Sequence, residues 1–365
     1  MPLDPASPRF ARQRILAGLG DQGQAALAGA HVLVVGAGGL GSAVLPLLAA
    51  AGVGILTVID DDTVAESNLH RQTLHTVDDL TRNKAESAAE TLRRLSPDAE
   101  IRALPQRFEP GATFDLLLDV DVLVDATDNP ATRYLANDAA AIRGIPLVWG
   151  SALAYAGQVG IAWDEKGVDY RDLFPQDSAT NEGDTCDVVG VLPSVCGVIG
   201  AMMATEVLKL LTGVGEPLLG RVAAYDALTG RTREIEYRRN PEAPRPGSLE
   251  ERTGGHVAAP TRTITPEELH DELAGATPPV VLDVREPWEA EIVQIPGSVL
   301  IPMNLIPERI GELDSDAETV VYCHLGVRSA RVLEYLEQNG FTEARHLTGG
   351  VDAYAAKADT SLARY

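Results

Sequence analysis

The sequence has 365 residues, which at roughly 100–200 residues per domain leaves room for two domains. Apolar residues make up 45% and charged residues 23%, an ordinary balance for a soluble globular protein with a sizeable core. Acidic residues outnumber basic ones 53 to 30, for a formal net charge of −23, so phosphate backbones and anionic lipid are repelled, and neither nucleic acid nor a membrane is an expected partner.

In chain order, the start Met1-Pro-Leu-Asp-Pro5 has no basic segment followed by an apolar core, and no signal peptide is expected. Residues 10–27 are predicted helical, with Ile15, Leu16 and Leu19 on one face. Strand and helix patterns then alternate. His31–Val35 is a buried strand, 40–51 a helix of small residues containing Pro46, and 55–60 a second strand. The run 40–59 is the most apolar stretch. Ser42, Pro46 and three glycines divide it into helix, turn and strand, and it does not read as a membrane span. A helix follows over 82–95 with Ala85, Ala88, Ala89 and Leu92 inward, then a strand at 121–125, a helix at 131–143 and a strand at 146–149. Residues 196–211 form a further helix whose Gly197, Gly200, Ala201 and Ala204 allow close packing. Late strands at 221–225 and 232–237 fit a hairpin. This alternation predicts an α/β domain with a largely parallel sheet.

The pattern breaks at 240–255, which is rich in Pro and Gly and reads as a linker. A second α/β unit follows. Thr265 caps a helix with Pro266 at its first position, 280–284 and 319–323 are strands, and 329–339 is a helix closed by Gly340. The expected division is 1–240, a flexible linker at 241–261, and 262–365.

Gly36-Ala-Gly-Gly-Leu-Gly41 follows a strand and opens a helix. Gly36, Gly38 and Gly41 have the spacing that lets backbone approach a phosphate at the positive end of a helix, with Gly39 in the same loop. Asp60 ends the next strand, where a carboxylate can bind ribose hydroxyls. These features alone fit any nucleotide, including NAD. Asn68-Leu-His-Arg71-Gln72 and Arg82-Asn-Lys84 add cations and an amide. That density suits charge developing on a triphosphate better than hydride transfer. Asp128, after the strand at 121–125, offers oxygen ligation for Mg²⁺.

These stretches, together with Ala11-Arg12-Gln13, 51–54, 60–64, 125–129, Arg133, 197–200 and 206–209, resemble the MoeB/ThiF family, relatives of ubiquitin-activating enzymes. The resemblance covers about 9–240. It implies a Rossmann-like adenylation domain in which Asp60 binds the ribose of ATP, Asn68, Arg71 and Lys84 contact its phosphates, and Asp128 serves Mg²⁺. It further implies a homodimer in which Arg12 enters the partner's site. The family often holds a structural zinc on two Cys-x-x-Cys pairs. The corresponding stretches 169–175 and 240–247 have no cysteine, and no structural zinc site is expected.

The chain's three cysteines, Cys186, Cys196 and Cys323, are too few and too far apart for a disulfide framework and suit a cytoplasmic enzyme with one or two reactive thiols. Cys196, among Val195, Gly197 and Val198, reads as core. Cys323 lies in Tyr322-Cys-His-Leu-Gly-Val-Arg-Ser329, a strand-to-helix loop. Its amides, helix N-terminus and Arg328 can stabilise a thiolate or persulfide. With 283–286, 295–297 and 347–350, the region 262–356 resembles a rhodanese domain, a small α/β sulfurtransferase, with Gln294 where histidine is common. Cys186, in a loop before the last helix of the first domain, resembles the crossover-loop cysteine of the ubiquitin-activating relatives.

The combined resemblance implies that ATP and Mg²⁺ adenylate the C-terminal Gly-Gly of a small ubiquitin-like sulfur-carrier protein. A Cys323 persulfide, loaded from thiosulfate or a cysteine-desulfurase persulfide, then yields the thiocarboxylate, and Cys186 resolves the intermediate. The competing readings are an activating enzyme for protein conjugation through a cysteine thioester and an NAD-dependent oxidoreductase.

Overall fold

The computed structural model describes residues 3–110, 115–175, 190–245, 262–275, 277–324 and 326–364. The chain divides into two compact units, Met1–Gly255 and His256–Tyr365.

The first unit opens with α1 (Ala11–Arg14) and α2 (Gly20–Gly29), followed by β1 (His31–Val35), α3 (Gly39–Ala51) and β2 (Ile55–Ile59). Then come α4 (Lys84–Leu95), β3 (Glu100–Leu104), β4 (Val122–Asp125), α5 (Pro130–Arg143), β5 (Leu147–Leu153) and β6 (Ala156–Ala162). The unit closes with α6 (Tyr170–Leu173), α7 (Pro193–Thr212), β7 (Arg221–Asp226) and β8 (Arg231–Glu236). Its sheet has the order β3-β2-β1-β4-β5-β6-β7-β8. The first five strands are parallel and the last three pairings antiparallel. Every residue of β1 and β4 is buried, because helices cover both faces of a parallel sheet. The chain order reverses between β1 and β4, so their C-terminal ends frame the crevice where open α/β sheets bind ligands.

Residues 10–27 do not form the single helix expected. Gly18 (φ +88°) and Gly20 (φ +58°) turn the chain between α1 and α2. Ile15 and Leu16 stand 73% and 57% exposed instead of facing inward. The longest apolar helix is α7, while α3, after the glycine loop, is shorter and also apolar. Helix α7 is long and apolar enough to cross a membrane, but Val195, Ile199, Met203, Ala204 and Val207 are buried in the core shared with α3. Each such side chain contributes about 1.5–3 kcal/mol.

The second unit contains β9 (Thr263–Ile264), α8 (Pro266–Leu273), β10 (Val280–Asp283), α9 (Pro287–Ile292), β11 (Val299–Leu300) and α10 (Ile306–Arg309). After β12 (Thr319–Tyr322) come α11 (Val327–Gln338), β13 (Ala344–Leu347) and α12 (Gly350–Lys357). All five strands are parallel, in the order β11-β10-β12-β13-β9. Thr265 accepts from the Glu268 N–H while Glu268 reaches back to the Thr265 N–H, a capping box with Pro266 inside it. The two faces carry separate clusters, one with Leu282, Val321 and Leu333, the other with Val281, Val320 and Tyr354.

Candidate functional site

The glycine loop sits in the β1/β4 crevice. Gly36 has φ +95°, a conformation open to glycine at little cost. A Cβ on Gly41 would stand 2.2 Å from the Gly36 carbonyl oxygen, so the helix could not start this close to the strand with any other residue. Gly38 caps α3, leaving the first-turn amides at the positive end of the helix.

Asp60 is half-buried just past β2. Its Oδ2 accepts from the Ala37 N–H at 2.7 Å and its Oδ1 from the Asp62 N–H at 2.9 Å. Burial pushes its carboxyl above the ordinary range, opposed by the Ala37 amide and by Lys84. Asn83 caps α4 by accepting from the Glu86 N–H at 3.1 Å, and its amide donates to the Asp60 carbonyl at 2.9 Å. This places Lys84 at the first position of α4. Its Nζ lies 2.9 Å from Asp62 Oδ2 with only 8% of the side chain exposed. Asn68 and Arg71 lie half-buried on the segment leading back to the loop. The Asn68 carbonyl accepts from the Arg71 N–H at 3.1 Å. The Arg71 side chain passes Gly39, its Cγ 3.5 Å from where a Cβ would stand.

Across the crevice, Asp125 ends β4 fully buried. It accepts from the Thr127 hydroxyl at 2.6 Å and from Arg133 Nε at 2.6 Å. Arg133 Nη2 also donates to the Thr127 carbonyl at 2.8 Å and the Gly150 carbonyl at 2.7 Å. The turn that presents Asp128 is therefore fixed from inside, while Asp128 itself is exposed. A hard-oxygen carboxylate held this way suits Mg²⁺, and a second oxygen-rich group, Asp60, Asp61 and Asp62, has its ligand atoms within 4.8 Å of one another.

The expected loop residues, Asp60, Asn68, Arg71, Lys84 and Asp128, thus all lie on segments at or running back to the C-terminal ends of β1, β2 and β4. Arg12 is exposed on α1. Three neighbours carried no role in the sequence. Cys196 is buried, with Sγ 2.9 Å from the Cβ position of Gly39 and its thiol pushed up by burial, against the pull of Arg71. Gln72 is 3% exposed, its Oε1 has no hydrogen-bond partner, and its amide nitrogen lies 3.6 Å from the Cβ position of Gly38. His75 is buried against the loop itself. The Arg71-Gln72 pair in the motif was the available signal for Gln72. Cys196 is buried as its apolar neighbours Val195 and Val198 led one to expect, and nothing local marks His75.

In the second unit Cys323 follows β12 and is 1% exposed. The Gly326 N–H donates to its Sγ at 3.1 Å, and Gly326 (φ +103°) caps α11. The Ser329 hydroxyl lies 3.0 Å from the Gly326 carbonyl, which accepts from it, 3.5 Å from Sγ and 2.9 Å from His346 Nδ1. A helix N-terminus with an aimed amide suits a sulfur anion. Arg328 stands on the first turn of α11, behind the Cys323 loop. It forms a two-point pair with buried Glu289, because the alternative is an unpaired carboxylate inside the unit. Gln294 donates to the Ser298 carbonyl at 3.4 Å, closing the turn of the Ile-Pro-Gly segment. Cys186 and Leu325 lie outside the described residues.

Where a zinc site is common, α6 and the segment after β8 are joined by charge. Arg245 pairs with Asp172 and lies 3.5 Å from both Asp169 and Asp164, and the Asn240 N–H donates to Asp172 at 2.8 Å. Among the described residues this junction offers carboxylates and a guanidinium, with no thiolate or imidazole, so it does not fit zinc.

The fold and these loops define a nucleotide-dependent α/β enzyme with a thiol-bearing second unit. Comparison with known families agrees. Residues 10–245 match the ThiF family and 265–357 match the rhodanese-like domain, so the chain belongs to the ThiF family and carries a rhodanese-like domain. It is 42% identical to the probable adenylyltransferase/sulfurtransferase MoeZ of Mycobacterium tuberculosis, covering 98% of this chain and 95% of that protein. It is 35% identical to the adenylyltransferase and sulfurtransferase UBA4 of Yarrowia lipolytica, covering 98% and 95%, and 33% identical to MOCS3 of Arabidopsis thaliana, covering 98% and 85%. Among solved structures, E. coli MccB with AMPCPP and MccA superposes with a TM-score of 0.58 at 20% identity, over 66% of this chain and 75% of that one. That likeness concerns the fold. The chain is an adenylyltransferase and sulfurtransferase that uses ATP.

Proposed function

We propose that the protein adenylates the C-terminal Gly-Gly carboxylate of a small ubiquitin-like sulfur-carrier protein and converts it to a thiocarboxylate. The observation that carries this is the pairing, on one chain, of a glycine-loop nucleotide cradle with a cysteine held by a helix N-terminal amide. A carrier carboxylate oxygen attacks the α-phosphorus of ATP, the bond to the β-phosphate breaks, and pyrophosphate leaves. Asp60 holds the ribose, while Asn68, Arg71 and Lys84 hold the phosphates and stabilise charge as it develops. Asp128 would hold Mg²⁺, which supplies charge neutralisation on the phosphates when bound. A homodimer with Arg12 supplied to the partner's site completes the cation set. The Cys323 thiolate attacks the outer sulfur of thiosulfate, releasing sulfite, or of a cysteine-desulfurase persulfide, releasing the desulfurase thiolate, and becomes a persulfide. Its terminal sulfur attacks the acyl carbon, and AMP leaves. Cys186 thiolate then attacks Cys323 Sγ, releasing the thiocarboxylate and leaving a Cys186–Cys323 disulfide for an external thiol reductant to reset. The low cysteine content suits a cytoplasmic setting.

Intact mass spectrometry of Gly-Gly carriers incubated with enzyme, Mg-ATP and thiosulfate tests this. Replacement of one carboxylate oxygen by sulfur, dependent on ATP and lost in Cys323→Ala, is expected. Unchanged thiocarboxylate yield from Cys323→Ala would overturn the sulfur route. A lasting Cys186 thioester would point to conjugation chemistry instead.

A further inference from the structure

Two consecutive peptide groups of the glycine loop are held from the protein side. The Ala37 N–H donates to Asp60 Oδ2 at 2.7 Å, and the Ala37 carbonyl oxygen lies 2.9 Å from His75 Nε2. A carbonyl only accepts, so Nε2 carries the proton and the imidazole is the donor. Its Nδ1 lies 2.8 Å from the Ser87 hydroxyl on α4, which also reaches the Asp79 carboxylate. His75 is 4% exposed and Ser87 1%. The chain contains no cis peptide bond among the described residues. In a trans peptide the C=O and N–H point in opposite directions. Drawing the Ala37 oxygen back onto His75 therefore turns the Gly38 N–H the other way, away from His75. Gly38 is the cap of α3, at the helix end that faces the β1/β4 crevice.

We infer that His75 is a positioning residue of the nucleotide site: its Nε2–H, with the ring held at Nδ1 by Ser87, holds the Ala37 carbonyl so that the Gly38 amide is aimed at an ATP phosphate. His75 touches neither substrate nor reacting atoms and acts through the loop. The inference rests on the reading that the glycine loop binds the phosphates of ATP. Glutamine can replace both contacts, an amide N–H to Ala37 and an amide oxygen to Ser87, whereas leucine fills the space and makes neither.

The test is calorimetric titration of the full chain with Mg-ATP, for wild type, His75→Leu, His75→Gln and Ser87→Ala, alongside sulfur uptake by Cys323 from thiosulfate. His75→Leu is expected to weaken ATP binding about tenfold, the scale of one hydrogen bond to a buried carbonyl. His75→Gln restores it to within about threefold, and Ser87→Ala loses about threefold by removing the contact that holds the ring at Nδ1. Sulfur uptake at Cys323 stays at the wild-type rate in all three. Wild-type affinity in His75→Leu would overturn the inference, as would a His75→Gln protein as weak as His75→Leu. If His75→Leu does not fold, wild-type affinity in Ser87→Ala overturns it. Absence of ATP binding in the wild type itself would sink the reading of the loop, an outcome distinct from all of these.

Discussion

Arg328 meets Glu289 in two charge-assisted bonds, Nη1 to Oε2 at 2.6 Å and Nη2 to Oε1 at 2.7 Å, with both side chains more than nine-tenths buried. The pair ties the first turn of α11, directly behind the Cys323 loop, to α9. Each charge thereby has a partner inside the unit.

Removing one member of a buried pair leaves the other uncompensated, at a cost of about 3–5 kcal/mol. Glu289→Ala is therefore expected to lower the melting transition of the second unit markedly. The double variant Glu289→Leu/Arg328→Met should recover much of that loss, since neither charge is then stranded. A thermal-denaturation double-mutant cycle measures this. Additive losses in the double variant would show that the pair is not the source of the effect.

Ser329 places a hydroxyl between Cys323 Sγ and His346 Nδ1. Ser329→Ala removes the hydroxyl that ties α11 to the Gly326 carbonyl beside the sulfur and should slow sulfur uptake from thiosulfate about fivefold, near 1 kcal/mol. Ser329→Thr keeps the hydroxyl and should stay close to the wild-type rate. Stopped-time mass spectrometry of the Cys323 persulfide reads both.

Asp60 has its carboxyl raised chiefly by burial, with the Ala37 amide and Lys84 opposing. The ionised form is the one that accepts from Ala37 and from a ribose hydroxyl, and it exists only above the group's pKa. Because that pKa lies above the ordinary value of 3.8, ATP affinity should begin to fall on acidification at a higher pH than a solvated aspartate would give. Asp60→Asn should bind more weakly at neutral pH and lose this acid limb. Affinity measured from pH 4 to 8 checks it, and an unchanged acid limb in Asp60→Asn would assign the titration elsewhere.

Arg245 neutralises Asp172 and Asp169, whose side chains are 0% and 1% exposed. Arg245→Met strands these carboxylates and should destabilise the first unit by about 3 kcal/mol. Chelation with EDTA should leave the melting temperature of the wild type unmoved, since the junction is held by charge. A chelator-sensitive transition would refute this account of the junction.

Much of the first unit was legible because its signals are local. β1, β2 and β4 are short apolar runs, and the glycine spacing after β1 marks a strand-to-helix turn whatever the rest of the chain does. Strands β3 and β6 were missed for the same reason. Glu100-Ile-Arg-Ala-Leu104 alternates too briefly, and Ala156-Gly-Gln-Val-Gly-Ile-Ala162 is glycine-rich and takes its place through antiparallel pairing with β5 and β7. The helix expected over 10–27 failed because an apolar period does not reveal that Gly18 and Gly20 turn the chain.

By itself, then, the sequence determined the α/β class, the glycine loop, the acidic end of β2, the cations after it, and a cysteine at a strand-to-helix turn. Each depends on residue type and spacing within a few positions. Tertiary structure alone decided which polar groups meet. Arg328 and Glu289 are 39 residues apart, and His75 and Ala37 are 38 apart. Arg245 and Asp172 are separated by 73. Such pairs form because sheet register and helix packing bring buried donors and acceptors together, where an unpaired one costs more than the chain can leave unmet.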